Sequence, residues 1–245
     1  MVFCLALGLY CKHTAADAWW SLPLTFAPLV YFAFPWLPLI ISSLFRKNRP
    51  ALWLNIASGA VLLYILAPGV RLGRERSPAG PDTLKVMTFN IQHGLGGIDN
   101  VVRTIEFARP DVILFQKATP FTNDVRDPRL KTITGSYHVV ARGARAIATR
   151  WPVLGEKYVL LDQADKMWAQ VVAIRVAGKP VYLVNVHLSA TMWDRYLLEP
   201  KKIPPHLRSV TRIRAGQVDR LLQLTGDLPG PVILGGDFNN PPRGA

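Results

Sequence analysis

The chain has 245 residues, half of them hydrophobic, and a net charge of +13. These averages exclude a compositionally uniform molecule, because there are four basic residues and one acidic up to Val70, and 25 and 15 beyond it. The first part is almost uncharged and lipid-like, and the second has the mixed composition of a globular domain; neither carries an internal repeat or a low-complexity tract.

In chain order, Met1 to Tyr10 is an apolar run too short to span a bilayer and without the basic start of a signal peptide. It reads as a partial span whose beginning is missing. Leu22 to Phe45 and Ala51 to Val70 contain no charge, and each is long enough to cross the hydrocarbon layer as a helix. Pro23, Pro28, Pro35 and Pro38 would kink the first, which membrane helices tolerate, and Trp19, Trp20, Trp36 and Tyr31 suit either interfacial anchoring or packing. Residues 1–70 are thus predicted to form a membrane region. Arg46, Lys47 and Arg49 between the spans would send the following domain outward, whereas Arg71, Arg74 and Arg76 argue the other way. Cys4 and Cys11 fall in this region and report nothing on the redox compartment of the rest.

Residues 71–83 read as a linker, and residues 84–245 as a layered α/β domain. Leu84 to Ile91 has strand character, Asn100 to Ala108 helical spacing, and Asp111 to Phe115 a buried-strand pattern. Ala144 to Thr149 is a short apolar strand, and Met167 to Val176 and Pro180 to Leu188 form a hairpin around Ala177-Gly178-Lys179. Leu207 to Leu224 is an amphipathic helix that leads into the strand Val232-Ile233-Leu234. His206 is read as lying in a proline-rich loop before that helix.

Polar residues recur where these strands end: Asn90, Gln116 with Lys117, His187, and Asp237 with Asn239. Converging strand ends are where α/β proteins build sites. In extended chain, Asp237 and Asn239 share a face and offer hard oxygens to a divalent cation or an attacking water; an Asx turn closing the strand fits the same residues.

At these positions the chain resembles the endonuclease/exonuclease/phosphatase superfamily, which includes DNase I, apurinic endonucleases, neutral sphingomyelinases and inositol polyphosphate 5-phosphatases. The resemblance is carried in order by Met87-Thr88-Phe89-Asn90-Ile91, Ala146-Ile147-Ala148-Thr149-Arg150-Trp151-Pro152, Asn185-Val186-His187-Leu188 and Gly236-Asp237-Phe238-Asn239. It implies a four-layer α/β sandwich and metal-assisted attack of water on a phosphate ester, with magnesium or manganese as cofactor. By the same resemblance, His187, Asp237 and Asn239 would be catalytic, Asn90 and Arg150 would contact substrate, and Asn90 and Asp237 would hold the metal. The layout is similar to bacterial members with membrane helices and an extracytoplasmic domain, so a multi-pass protein of the cell membrane is expected, in contact with the lipid bilayer and acting on a phosphate substrate, with a lipid-linked phosphate favoured over nucleic acid.

Two departures bear on activity. The family's principal metal ligand is a Glu following Gln, and Phe115-Gln116-Lys117 puts an ammonium there. A protonated Lys has no lone pair to give and repels a cation. The family's closing Ser-Asp-His segment and the last strands of its second sheet would lie beyond Ala245. Impaired hydrolysis is therefore expected, and a non-catalytic basic module that binds anionic lipid or nucleic acid is the alternative, since the part beyond Val70 has ten more basic than acidic residues.

Overall fold

The computed structural model describes residues 36–66, 83–123, 131–164 and 166–239. They fall into two compact units. One holds 36–66 with 193–208, and the other holds 83–192 with 209–239.

In the first unit, helix α1 (Trp36–Phe45) and helix α2 (Arg49–Leu66) form a hairpin. Asn48 caps α2, its side-chain oxygen accepting from the Ala51 N–H at 3.1 Å. Asn55 Nδ2 donates to Ser43 Oγ at 2.8 Å and to the Leu39 carbonyl at 3.1 Å, while Trp36 Nε1 donates to the Asn55 carbonyl. Among the described residues no helix is long and apolar enough to cross a membrane. Helix α2 opens on Arg49 and carries Asn55 and Ser58 along its length, which lowers its apolar character. Most of the first expected span, the end of the second, and the apolar run 1–10 lie outside the described residues.

The second unit contains two four-stranded sheets. In the first sheet the order is β1 (Val86–Asn90), β2 (Val112–Gln116), β4 (Arg145–Thr149), β3 (His138–Arg142), with β1 and β2 parallel and the other pairs antiparallel. The second sheet runs β5 (Val153–Asp162), β6 (Met167–Val176), β7 (Lys179–His187), β8 (Val232–Asp237), with only β7 and β8 parallel. The β6–β7 turn is two residues long, and Ala177 (φ 48°) and Gly178 (φ 79°) both take the left-handed conformation that matches strand twist.

Three apolar clusters stack the layers. Helix α3 (Ile98–Ala108) buries Ile98, Val101 and Ile105 against Ile113, Phe115, Ala146 and Ala148 of the first sheet. Between the sheets, Val112, Leu114 and Ile147 meet Val172, Ile174 and Leu183. On the far side, helix α6 (Ile203–Gly226) buries Leu221 and Leu224 on Ala169, Val171, Val184 and Val186. Short helices α4 (Pro120–Asn123) and α5 (Lys131–Ser136) complete the α3 side. This is the helix, sheet, sheet, helix layering that the family resemblance implied.

Helix α6 begins earlier than the apolar spacing predicts, at Ile203, so His206 is helical rather than in a loop. Pro204 and Pro205 are tolerated because first-turn N–H groups need no intrahelical partner. His206 packs on Tyr196, with ring centroids 4.8 Å apart.

Candidate phosphate site at the strand ends

Parallel pairing brings the C-terminal ends of β1 and β2 together, and likewise those of β7 and β8. In register, Asn90 lies beside Gln116 and His187 beside Asp237. The two sheets join directly here. Asn90 Nδ2 donates to Asp237 Oδ2 at 2.7 Å, and Asn90 Oδ1 accepts the Gln92 N–H at 3.1 Å.

Asp237 is held on its other oxygen as well. Oδ1 accepts the Asn239 N–H at 2.9 Å, a two-residue Asx turn, while Asn239 Nδ2 donates to the Leu188 carbonyl at 2.6 Å. The Asx-turn reading of Gly-Asp-Phe-Asn is the one seen here, and the turn fixes the carboxylate. Asn239 has φ 48°, so it does not continue the strand face that it shared with Asp237 by simple alternation. Gly236 has φ 145°, and a Cβ there would collide with the Val186 backbone of the neighbouring strand.

His187 Nε2 stands 3.8 Å from Asp237 Oδ2, with the two side chains 15% and 27% exposed, so a ligand can reach both. Burial pushes the His187 imidazole below its ordinary value. Asp237 opposes the shift, and Arg145, Lys117 and His93 add to it. His187 is therefore neutral at neutral pH and keeps an N–H to donate.

Beneath the site runs a buried polar network across the two sheets. Gln116 Nε2 donates to Asn185 Oδ1 at 2.8 Å, to the Leu114 carbonyl and to Thr88 Oγ1. Asn185 Nδ2 donates to the carbonyls of Phe115 at 2.8 Å and Ala146 at 3.2 Å. Gln170 extends the network to the Val140 carbonyl and the Tyr158 hydroxyl. Asn185, quoted only as part of a motif, thus ties β7 to β2 and β4.

Two basic residues flank the end of β2. Lys117 follows Gln116 with φ 48°, and its carbonyl accepts the His93 N–H at 2.8 Å. Arg145 opens β4 directly opposite Gln116. Its Nη2 reaches the His187 carbonyl at 3.4 Å and Met167 Sδ at 3.8 Å, and its Nε is buried without a hydrogen-bond partner. Burial lowers the Arg145 pKa from its ordinary value.

Arg145 and His93 are the residues that sequence reasoning missed. For Arg145, a place at the head of an apolar strand was a usable signal. His93 follows the Asn90 strand end by three residues and bonds Thr119 Oγ1 through Nδ1 at 3.0 Å.

Arg150, expected to contact substrate, is not brought here. Because β4 is antiparallel to β2, Arg145 faces Gln116 while Thr149 faces Val112, which puts Arg150 past the opposite end, roughly 16 Å along the strand. It stacks instead over Tyr137, 5.1 Å from the ring centroid, and borders a cavity of about 450 Å³ with Val102, Glu106 and Arg109.

The residues present do not fit a divalent cation. Magnesium and manganese want several oxygen ligands, with anionic ones prominent. Among the described residues Asp237 is the single carboxylate in this cluster, and Asn90 turns its N–H toward that carboxylate while its own oxygen is engaged by Gln92. Lys117 and Arg145 add positive charge, and among the described residues no group of three or more His, Cys, Asp or Glu is placed to hold a metal. The Arg145 guanidinium, whose Nε is buried without a hydrogen-bond partner, adds a positive charge that disfavours a cation here.

Comparison with solved structures gives distant likenesses of fold. Truncated TDP2 from Caenorhabditis elegans is 20% identical over 66% of this chain and 64% of that one, with a TM-score of 0.48. Sphingomyelinase C from Streptomyces griseocarneus is 22% identical over 64% of each chain, with a TM-score of 0.43. The chain thus spans just under two thirds of the length of these proteins. No curated protein matches it. The model of the Endonuclease/Exonuclease/phosphatase family matches residues 87–245.

Proposed function

The chain belongs to the Endonuclease/Exonuclease/phosphatase family, and on that premise we propose that it engages a phosphate ester where β1, β2, β7 and β8 end, as a phosphoester hydrolase whose turnover is weak. The observation that carries this is the bond from Asn90 to Asp237, which joins the two sheets at one carboxylate beside neutral His187. Family members are typically divalent-metal dependent, and a bound cation would neutralise phosphate charge and polarise the phosphorus. In this chain Lys117 stands at the family's acidic ligand position, so that contribution is curtailed.

The remaining groups keep recognisable tasks. Asp237, fixed by Asn90 and the Asn239 N–H, is placed to orient or deprotonate a water. Neutral His187 donates its N–H to a phosphate oxygen as negative charge grows there. The two uncharged runs before residue 71 support a membrane-attached protein, and the similarity in layout to bacterial members with an extracytoplasmic domain supports the outer side, where a lipid-linked phosphate is the natural substrate class.

Hydrolysis of bis(p-nitrophenyl) phosphate by the full chain in magnesium tests the reading. Turnover is expected to be slow and to fall to background in Asp237→Ala. Vigorous turnover would overturn the weak-activity reading, and slow turnover indifferent to Asp237→Ala would remove the site assignment. The second reading is binding without any turnover, and Lys117 together with the basic surplus favours it; salt-dependent retention on anionic vesicles with no product formed would select it.

A further inference from the structure

The end of β2 is unusual in the charges it gathers. Gln116 is the register partner of both Asn90 and Arg145, and Lys117 is the next residue, so two cations flank the strand end that the family uses for a metal-binding carboxylate. The Ala118 N–H bonds the Ala144 carbonyl at 2.9 Å, which fastens the Lys117 segment against the start of β4. Among the described residues the countercharge in the cluster is Asp237, and Arg145 Nε is buried with no hydrogen-bond partner.

We infer that Lys117 and Arg145 replace the metal as the site's positive charge, so that the protein binds a phosphate-monoester dianion without any divalent cation. Two full positive charges match a dianion. One comes from a point-like ammonium and the other from a guanidinium able to offer N–H donors from a fixed fork. His187 adds a neutral N–H, and the Asp237 charge, 3.8 Å from His187 Nε2, is partly offset by the N–H it accepts from Asn90. The inference rests on the phosphate-site reading above and deepens it. A family site built around a cation gains affinity from added magnesium; here magnesium has no vacant ligand set to enter and competes with phosphate only weakly in solution.

The test is calorimetric titration of the detergent-solubilised full chain with inorganic phosphate, once in excess EDTA and once in millimolar magnesium. The two affinities are expected to agree within about twofold, and Lys117→Met to weaken both by about tenfold, equivalent to removing one charge contact. Lys117→Met keeps a straight side chain at the same left-handed residue, so the fold should be unchanged. Should it not be, Arg145→Met reads the second cation independently, with a similar loss expected. With the chain in phosphatidylcholine vesicles, admixed phosphatidic acid weakens the phosphate titration if a lipid-borne phosphate reaches the site and leaves it unchanged if only free phosphate does; metal independence in either case supports the inference. Phosphate binding that appears only with magnesium would overturn it while leaving the phosphate-site reading intact. No binding under either condition would remove both.

Discussion

Asn185→Leu is the most direct test of how the site is held together. Asn185 is fully buried, and the change preserves its volume closely while removing three short hydrogen bonds, Gln116 Nε2 to Asn185 Oδ1 at 2.8 Å and Asn185 Nδ2 to the Phe115 and Ala146 carbonyls at 2.8 and 3.2 Å, together with a longer one from Nδ2 to Gln170 Oε1 at 3.4 Å. Gln116 keeps the Leu114 carbonyl and Thr88, so it is not orphaned, but no solvent reaches the carbonyls to compensate. At about 1 kcal/mol per buried neutral bond the loss is about 3 kcal/mol. Amide hydrogen exchange in β2 and β7, which open only with the whole unit, should then be roughly 100-fold faster. The double change with Gln116→Leu should recover part of this, because two apolar partners leave fewer unmet groups than one. Exchange accelerated by less than about threefold in the single variant would refute the claim that this network joins the sheets, since that corresponds to about 0.6 kcal/mol.

Other expectations follow from single features. Gly236→Ala meets both a forbidden φ and the Val186 backbone, so a fall in melting temperature of roughly 8 °C or more is expected, while Gly216→Ala, with open space at its Cβ inside α6, should raise it slightly. The His187 imidazole should titrate below about 6.5 by NMR, rising in Lys117→Met and falling further in Asp237→Asn; a midpoint at or above the ordinary value would contradict the site's electrostatics. Because its folded-state pKa is the lower one, its contribution to stability is present above the ordinary histidine value and lost as pH falls through the folded-state value. Arg150→Met should leave phosphate affinity unchanged by calorimetry, and a tenfold loss would return Arg150 to the site.

Much of the site was legible in the sequence because it is written in local patterns. Buried strands announce themselves as apolar runs: β1, β2, β4, β6 and β7 each lie within a residue or two of where those runs place them, and β8 starts with its run and continues three residues past it. Each ends on a polar residue or a turn, which located Asn90, His187, Asp237 and Asn239. The strands that escaped notice, β3 and β5, are both at sheet edges. An edge strand need not be apolar on either face: β5 exposes Leu154, Gly155, Glu156 and Lys157 in succession and breaks register twice against β6, which erases the alternation that sequence reading depends on.

Two arginines show where local pattern stops. Arg145 and Arg150 bracket the same five-residue strand, and the motif Ala146 to Pro152 drew attention to the second. Which of them meets Asn90 and Asp237 depends on β4 running antiparallel to β2, a pairing between residues about 30 apart that no local spacing encodes. The sequence by itself determined the division at Val70, the layered α/β class, the polar strand ends and the ammonium at Lys117, because each is a property of neighbouring residues. Tertiary structure alone decided that Asn90 reaches Asp237 across 147 positions, that Arg145 rather than Arg150 stands at the site, and that a single carboxylate sits among cations, because strand direction and sheet packing set those distances.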